Sequence, residues 1–150
     1  MPETCAIDAL AFARRVAGKA VAAALVAWLA AACAATETMP RHLAGKTWLA
    51  EDIGGAGVID ALQSTVAIAE DGGVSGFSGC NRFSGKAVID GAKMRFGPLA
   101  STRRACAPAV NDQEQKFLAA LQGTRSYRLD GAFLFFLDES GNKLMRLTER

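Results

Sequence analysis

The sequence predicts an α+β fold, a small and mainly antiparallel β-sheet or barrel-like domain with one helix in its second half. From Thr47 onward, short runs of β-branched and aromatic residues alternate with Gly or Asp-Gly pairs, which is typical of strands joined by tight turns. Residues 110–121 instead place apolar side chains at helical spacing. A chain of 150 residues has room for one domain with its own core and is too short for two ordinary ones.

The first element is an apolar run with the features of an export signal. Residues 20–32 are uncharged, follow Arg14, Arg15 and Lys19, and end in small side chains. A charged start, a short apolar centre and a small-residue cleavage zone define a signal peptide, whereas crossing a bilayer takes about twenty apolar residues. We therefore interpret residues 1–33 as a signal peptide.

Cys33 follows this run directly. The preceding Leu29-Ala30-Ala31-Ala32 resembles a bacterial lipobox, in which the Cys becomes the first mature residue and carries lipid. A lipobox usually has Leu three residues before the Cys, whereas Ala30 takes that place here, so simple cleavage near Ala32 or Ala35 is the alternative. We predict lipidation of Cys33, which makes the protein an exported, periplasm-facing lipoprotein anchored in the membrane.

A short segment separates Cys33 from the predicted fold. Residues 34–42 are mostly small and polar and include Pro40. This composition is typical of a flexible linker. We therefore predict a tether over residues 34–42 and a folded domain over residues 43–150.

Eight strands are predicted in the folded domain. They are residues 47–53, 65–69, 74–77, 82–89, 92–96, 126–129, 132–137 and 143–147. Asp90-Gly91 and Asp130-Gly131 each separate two of these runs, and a two-residue Asp-Gly turn is a strong signal for a hairpin.

One helix is predicted between the fifth and sixth strands. Asn111 can cap its first turn, and Glu114 three residues later completes a capping box. One side of this helix carries Val110, Glu114, Phe117, Leu118 and Leu121. Gly123 ends the helix.

The core is predicted from the largest apolar side chains. We expect Phe117 and Leu121 of the helix to plug the curled sheet. Aromatic residues of the strands are expected to complete the core, namely Trp48, Phe133, Phe135 and Phe136. An aromatic ligand groove is the alternative use of these side chains.

Two cysteines remain for the mature domain. Cys5 is removed with the signal peptide and Cys33 is acylated, which leaves Cys80 and Cys106. Exported domains commonly pair their thiols in an oxidising compartment, and closing this loop stabilises the fold by roughly 3–4 kcal/mol. We predict a Cys80–Cys106 disulfide, with two buried free thiols as the alternative.

Charge and metal-ligand patterns exclude several classes of partner. Seventeen Lys and Arg nearly balance fifteen Asp and Glu, and the basic residues do not cluster, so no nucleic-acid partner is expected. Cys80 and Cys106 lack the CxxC spacing of metal sites, and His42 is the only His. We predict neither a metal nor a cofactor.

Catalytic residues are not apparent in the sequence. Ser75 and Ser78 lie beside Gly, but a serine nucleophile needs a base, and His42 lies in the predicted tether. Adjacent carboxylates such as Glu51 and Asp52 occur where solvated surface is expected. Thr102, Arg103 and Arg104 could form an anion site, but an exposed Arg pair is more often structural or solvated. We predict that the protein is not an enzyme.

Three segments together form a pattern that is specific enough to compare with known families. They are Trp48-Leu49, Gly76-Phe77-Ser78-Gly79-Cys80-Asn81-Arg82-Phe83-Ser84-Gly85 and Phe96-Gly97-Pro98-Leu99-Ala100-Ser101-Thr102-Arg103-Arg104-Ala105-Cys106. This combination resembles the META domain family, which includes the HslJ-type heat-shock proteins. The resemblance implies a secreted or membrane-tethered α+β domain associated with heat or envelope stress, and no established catalytic site.

The resemblance also assigns a structural role to the signature residues, which are Gly79, Cys80, Asn81, Thr102 and Cys106. Arg103-Arg104-Ala105 departs from the family, where apolar Met residues often occur.

These observations favour a stress-response lipoprotein of the cell envelope that acts as a binding or assembly module for an envelope protein or a lipidic ligand. The alternative is a thiol redox or quality-control protein that uses Cys80 and Cys106. In that case Arg82, Arg103 or Arg104 would have to activate the thiolate, because neither Cys has a neighbouring His.

Overall fold

The computed structural model describes residues 39–150, and these residues form the predicted α+β fold. The strands are β1 (Lys46–Ile53), β2 (Thr65–Ile68), β3 (Gly73–Phe77), β4 (Arg82–Asp90), β5 (Lys93–Phe96), β6 (Ala100–Ser101), β7 (Ser126–Asp130), β8 (Phe133–Leu137) and β9 (Lys143–Glu149). The helix, α1, spans Pro108–Gly123 and lies between β6 and β7. The eight predicted strands agree with the observed bounds to within two residues at each end. β6 was missed because two residues carry no periodicity.

The sheet closes on itself as a small barrel. Its strands pair in the order β3-β2-β1-β9-β8-β7-β5-β4, every pair is antiparallel, and β3 also pairs with β4. The short β6 pairs with β4. Closure removes the unpaired edges that an open sheet presents to other chains.

The two Asp-Gly turns form the predicted hairpins. Asp90 pairs with Lys93 and Asp130 pairs with Phe133, so each turn contains two residues. Gly91 and Gly131 have φ values of 58° and 59°, the left-handed conformation that this turn requires.

Helix α1 covers one end of the barrel. Phe117 and Leu121 are fully buried, as predicted. The helix contacts the barrel at the ends of several strands; for example, Gln122 Nε2 donates a hydrogen bond of 2.9 Å to the carbonyl of Gly97, just after β5.

The predicted capping box is wrong. The helix begins at Pro108, three residues before Asn111, and Ala107 is the N-cap residue without a side-chain cap. Proline suits this first turn because its φ is already helical and it has no N–H to leave unsatisfied. Asn111 instead bonds the backbone of Cys106, which lies before the helix. Glu114 bonds groups on another loop, as described below.

Residues 39–45 cover the opposite end of the barrel. Leu43 and Met39 are 0% and 5% exposed, and the amide of Gly45 donates a hydrogen bond of 2.8 Å to the carbonyl of Ile68. Met39 packs near Gly72 in the turn between β2 and β3, which lies at the end away from α1. The predicted tether therefore extends too far: residues 39–42 belong to the fold because Met39 buries an apolar side chain there. Residues 34–38, the predicted signal peptide and Cys33 lie outside the described residues.

The core contains two of the four predicted strand aromatics. Trp48 and Phe136 are buried, but Phe133 and Phe135 lie on the outer face of β8. The reason is the strand period of two, because Leu134 and Phe136 occupy the inward positions. Within residues 39–150, no helix is long and apolar enough to cross a bilayer.

Candidate functional site

The structure joins Cys80 and Cys106 in the predicted disulfide. Cys80 lies in the connection between β3 and β4, and Cys106 lies just before α1. Their Cα atoms are 6.1 Å apart across a sequence separation of 26 residues. Cys80 is 2% exposed, whereas Cys106 is half-buried. The bond therefore fastens the start of the helix to the β3–β4 connection.

Asn81, beside the disulfide, uses its whole side chain for hydrogen bonds. Its Oδ1 accepts from the hydroxyl of Thr102 at 2.8 Å and from the amide of Arg104 at 2.7 Å. Its Nδ2 donates to Glu114 Oε2 at 2.9 Å and to the carbonyl of Arg104 at 3.2 Å. An Asn side chain can accept two bonds and donate two, so the side chain is saturated.

Ser78 and Glu114 extend this network below the surface. The Ser78 hydroxyl is fully buried, donates to the Glu114 carboxylate, and lies 2.8 Å from the carbonyl of Asn81. His42 lies at the other end of the barrel, where its Nε2 is 3.1 Å from the Tyr127 hydroxyl. The structure therefore does not bring Ser78 together with His42.

Gln113 connects the same helix turn to a second loop. Its Oε1 accepts from the amide of Ile59 at 2.7 Å, and its Nε2 donates to the Ser64 hydroxyl at 3.1 Å. Ser64 in turn donates to the carbonyl of Ser78 at 3.1 Å. The sequence did not identify Gln113 or Ser64 as members of the site. The available signal was the adjacent polar pair Gln113-Glu114, which lies one helical turn before the core residue Phe117.

Two glycines make this close packing possible. Gly79 has a φ of 110°, which a residue with a side chain rarely adopts. A Cβ at Gly76 would lie 2.0 Å from the carbonyl oxygen of Thr65 on the neighbouring strand. The connection from β3 to Cys80 therefore needs glycine at both positions.

The structure brings together all five signature residues. Gly79, Cys80, Asn81, Thr102 and Cys106 form one cluster that links β4, residues 102–107 and α1. A shallow groove of about 450 Å³ lies over this cluster. The side chains of Arg103 and Arg104 line it and are exposed, and within residues 39–150 neither forms a salt bridge.

Asp52 forms a separate set of polar contacts at the end of the barrel that α1 covers, which we call the α1 end. Its carboxylate accepts from the amides of Gly55 and Gly57, both at 3.1 Å, and lies 3.0 Å from Lys143 Nζ. Burial acts to raise the pKa of Asp52, but the hydrogen bonds from Lys143, Gly57 and Gly55 and the charge of Lys143 outweigh it, so the pKa lies below its usual value of 3.8. Asp52 therefore organises the glycine loop as a carboxylate.

A mainly apolar groove of about 470 Å³ lies between α1 and the residues that end β1 and begin β9. Its lining includes Ile53, Ala56, Lys116, Ala119 and Leu144. Among residues 39–150, no group of three or more His, Cys, Asp or Glu side chains is placed to hold a metal ion.

Comparison with known proteins places this arrangement in context. The family model of the META domain matches residues 41–150. A protein solved by NMR is 24% identical, with a TM-score of 0.58, over 71% of this chain and 91% of its own. A protein from Burkholderia xenovorans, also solved by NMR, is 22% identical, with a TM-score of 0.57, over 73% of this chain and 84% of its own. No curated protein matches the sequence significantly.

Proposed function

The chain belongs to the META domain family, and from this premise we propose that it is an exported, non-enzymatic stress protein of the cell envelope. In this proposal Cys33 carries a lipid that tethers the domain to the membrane on its periplasmic side. The domain acts there as a binding or assembly module for an envelope protein or a lipidic ligand. The signal-peptide pattern of residues 1–33 supports export.

The observation that carries the proposal is the Cys80–Cys106 disulfide. Such bonds persist in oxidising compartments and are rare in a reducing cytosol. Here the bond is integrated into the fold, because Cys80 is almost fully buried and its neighbour Asn81 is hydrogen-bonded to Arg104 and Glu114, on either side of Cys106 in the chain. A structural cross-link of this kind favours an exported protein.

The contacts around the disulfide favour binding over catalysis. Asn81 has no hydrogen-bonding position left for a substrate, and the Ser78 hydroxyl is buried against Glu114. These side chains hold loops in place. Arg103 and Arg104 beside them are exposed, which suits contact with a partner.

The test is the intact mass of the mature protein purified from membranes, before and after reduction and alkylation. We expect a chain that begins at Cys33, carries acyl mass, and is alkylated at Cys80 and Cys106 only after reduction. A Cys33→Ser variant should lose the acyl mass and keep the disulfide. An unlipidated wild-type chain with two free thiols would contradict the proposal.

Thiol redox or quality-control activity is the alternative function, and the partial exposure of Cys106 is what favours it. A partner thiolate could reach Cys106 more readily than the buried Cys80. The test is the reduction potential of the disulfide. A value above roughly −250 mV would support this function, whereas structural disulfides lie below about −300 mV.

A further inference from the structure

Strand β8 has apolar side chains on both faces. Leu134 and Phe136 point into the barrel and are fully buried, while Phe133, Phe135 and Leu137 point outward. Phe133 is 38% exposed. A strand with one face in water normally alternates apolar and polar residues, so the apolar outer face of β8 departs from this pattern and is a candidate contact surface.

Two arginines flank the outward aromatic residues. Arg128 on β7 and Arg146 on β9 are both register partners of Phe135. The Arg128 guanidinium lies 4.9 Å from the Phe135 ring centre, and that of Arg146 lies 5.3 Å from the Phe133 ring centre. We call Arg128, Phe133, Phe135 and Arg146 the Arg–Phe patch. Within residues 39–150 neither arginine forms a salt bridge. Arg128 is exposed, whereas Arg146 is half-buried and its Nε is buried without a hydrogen-bond partner among these residues, so Arg128 is the more accessible of the two charges to an external anion.

The strands around the patch add positive charge. The outward cations of β5, β7 and β9 are Lys93, Arg95, Arg128 and Arg146. The outward carboxylates near them are Asp130 on β7, which is the register partner of Phe133, and Glu51 on β1, which accepts a hydrogen bond from Thr148. Cations therefore outnumber these carboxylates on this side of the barrel, which favours contact with an anionic surface.

The patch also lies toward the end of the barrel that a tether would hold near the membrane. Phe133 starts β8 at the turn with β7, on the end covered by residues 39–45 and away from α1. Six residue steps separate Cys33 from Met39, which is at most roughly 22 Å of extended chain. β1 alone spans on the order of 26 Å from that end toward α1. A lipid on Cys33 therefore keeps the patch end, and not the α1 end, close to the bilayer.

We infer that the Arg–Phe patch docks the domain on an anionic phospholipid surface. The inference rests on the proposed membrane tether and adds to it a defined contact face. Aromatic rings are favoured at the level of lipid headgroups, and guanidinium groups bind phosphate through charge-assisted hydrogen bonds. Phe133 and Phe135 enter the headgroup layer, and Arg128 and Arg146 bind the phosphates around them.

The test is hydroxyl-radical footprinting of the processed full chain on two kinds of vesicle. One contains phosphatidylglycerol and phosphatidylethanolamine, and the other contains only phosphatidylcholine. A lipidated chain stays on both, so a difference between them reports docking alone. We expect Phe133 and Phe135 to be oxidised several-fold less on the anionic vesicles. Ile59 at the α1 end is the internal control, since it is also 38% exposed and should be oxidised equally on both.

Matched variants separate docking from folding. Arg128→Gln should lower the ratio of docked to undocked protein about fivefold, the effect of one cation near an anionic surface, while Lys116→Gln on the exposed side of α1 should leave it unchanged. Phe133→Ser should reduce the protection of Phe135, and Ile59→Ser should not. The thermal midpoint of each variant identifies any loss of folding, and a result counts only for variants that retain the wild-type midpoint.

The outcomes distinguish this inference from the tether on which it rests. Equal oxidation of Phe133 on both vesicles overturns the inference even if the mass shows a lipid on Cys33. If the mature chain has no lipid, co-sedimentation with the vesicles is the measurement. Binding to the anionic vesicles alone that is lost in Arg128→Gln still supports the docking surface, and a lack of binding to the anionic vesicles overturns it. Protection of Phe133 in native envelope membranes but on neither vesicle assigns the patch to a protein partner and overturns the lipid assignment.

Discussion

Asn81 is the residue through which the β3–β4 connection, residues 102–106 and α1 are held together. Replacing it with Ala removes the hydrogen bonds to Glu114 Oε2 and to the amide and carbonyl of Arg104, while Ser78 still donates to Glu114 Oε1. A buried polar group without a partner costs about 1–3 kcal/mol. We expect Asn81→Ala to lower the free energy of unfolding by about 2–3 kcal/mol in urea denaturation of the oxidised protein.

The matched control is Asn142→Ala, because Asn142 is exposed and bonds Asp138 in a turn. It should cost less than about 0.5 kcal/mol. Equal effects of the two substitutions would show that the Asn81 bonds contribute no more than an exposed turn does.

Asp52 gives the stability of the α1 end a dependence on pH. Its pKa is lower in the folded protein than the ordinary value of 3.8. The contribution of the carboxylate is therefore present above the unfolded pKa and is lost as the pH falls through the folded value. We expect Asp52→Asn to cost about 1 kcal/mol near pH 7, a modest figure because Lys143 is partly exposed.

The measurement is the free energy of unfolding of wild type and Asp52→Asn between neutral pH and pH 3. The difference between them should shrink below about pH 4. Asp112→Asn is the control, since Asp112 is exposed and pairs with Lys116 on its own helix. A constant difference across this range would contradict the assignment.

At the scale of elements, residues 39–45 act as a part of the barrel and not as a linker. Leu43 is fully buried, and its carbonyl accepts a bond of 3.4 Å from the Trp48 indole. We expect Leu43→Ala to cost about 2–5 kcal/mol, the range for a buried Leu that leaves a cavity. Leu118→Ala on the half-buried side of α1 is the control and should cost less. Thermal denaturation measures both, and a neutral Leu43→Ala would contradict a stabilising role for the packing of Leu43 against the barrel.

The elements show which parts of the fold the sequence could predict. The strands follow from the period of two and the hairpins from Asp-Gly, because both signals act over a few residues. The start of α1 was misplaced because Asn111 and Glu114 fit a local capping pattern, while the structure uses both side chains for contacts outside the helix. Such a choice depends on which loops pack against the helix, and no local pattern contains that information.

The candidate site was predictable in its residues but not in its connections. The five signature residues do come together, yet the partners of Asn81 include Glu114 and the backbone of Arg104, which are 33 and 23 residues away. The division of the Phe residues of β8 between core and surface was missed because each of these residues is apolar. Only the closed barrel determines which face of β8 points inward, and this orientation assigns Phe136 to the core and Phe133 to the outside.

At the scale of the whole molecule, the disulfide joins the β3–β4 connection of the barrel to the segment just before α1. Reduction should lower the free energy of unfolding by roughly 3–4 kcal/mol, because it releases a loop of 26 residues in the unfolded chain. Urea denaturation with and without reductant measures this value. A Cys80→Ser, Cys106→Ser double variant should match the reduced wild type and be insensitive to reductant. Equal stability of the oxidised and reduced forms would show that the hydrogen-bond network alone holds the connection.

The pairing of β1 with β9 closes the barrel between the beginning and the end of the domain, since Trp48 is the register partner of Glu149. On a ribosome, β1 emerges long before β9 has been synthesised, so the barrel cannot close until almost the whole chain is available. Contacts between residues so distant in sequence also form slowly. The closed barrel therefore cannot form during most of the synthesis of the chain, and the proposed export would depend on such an open chain.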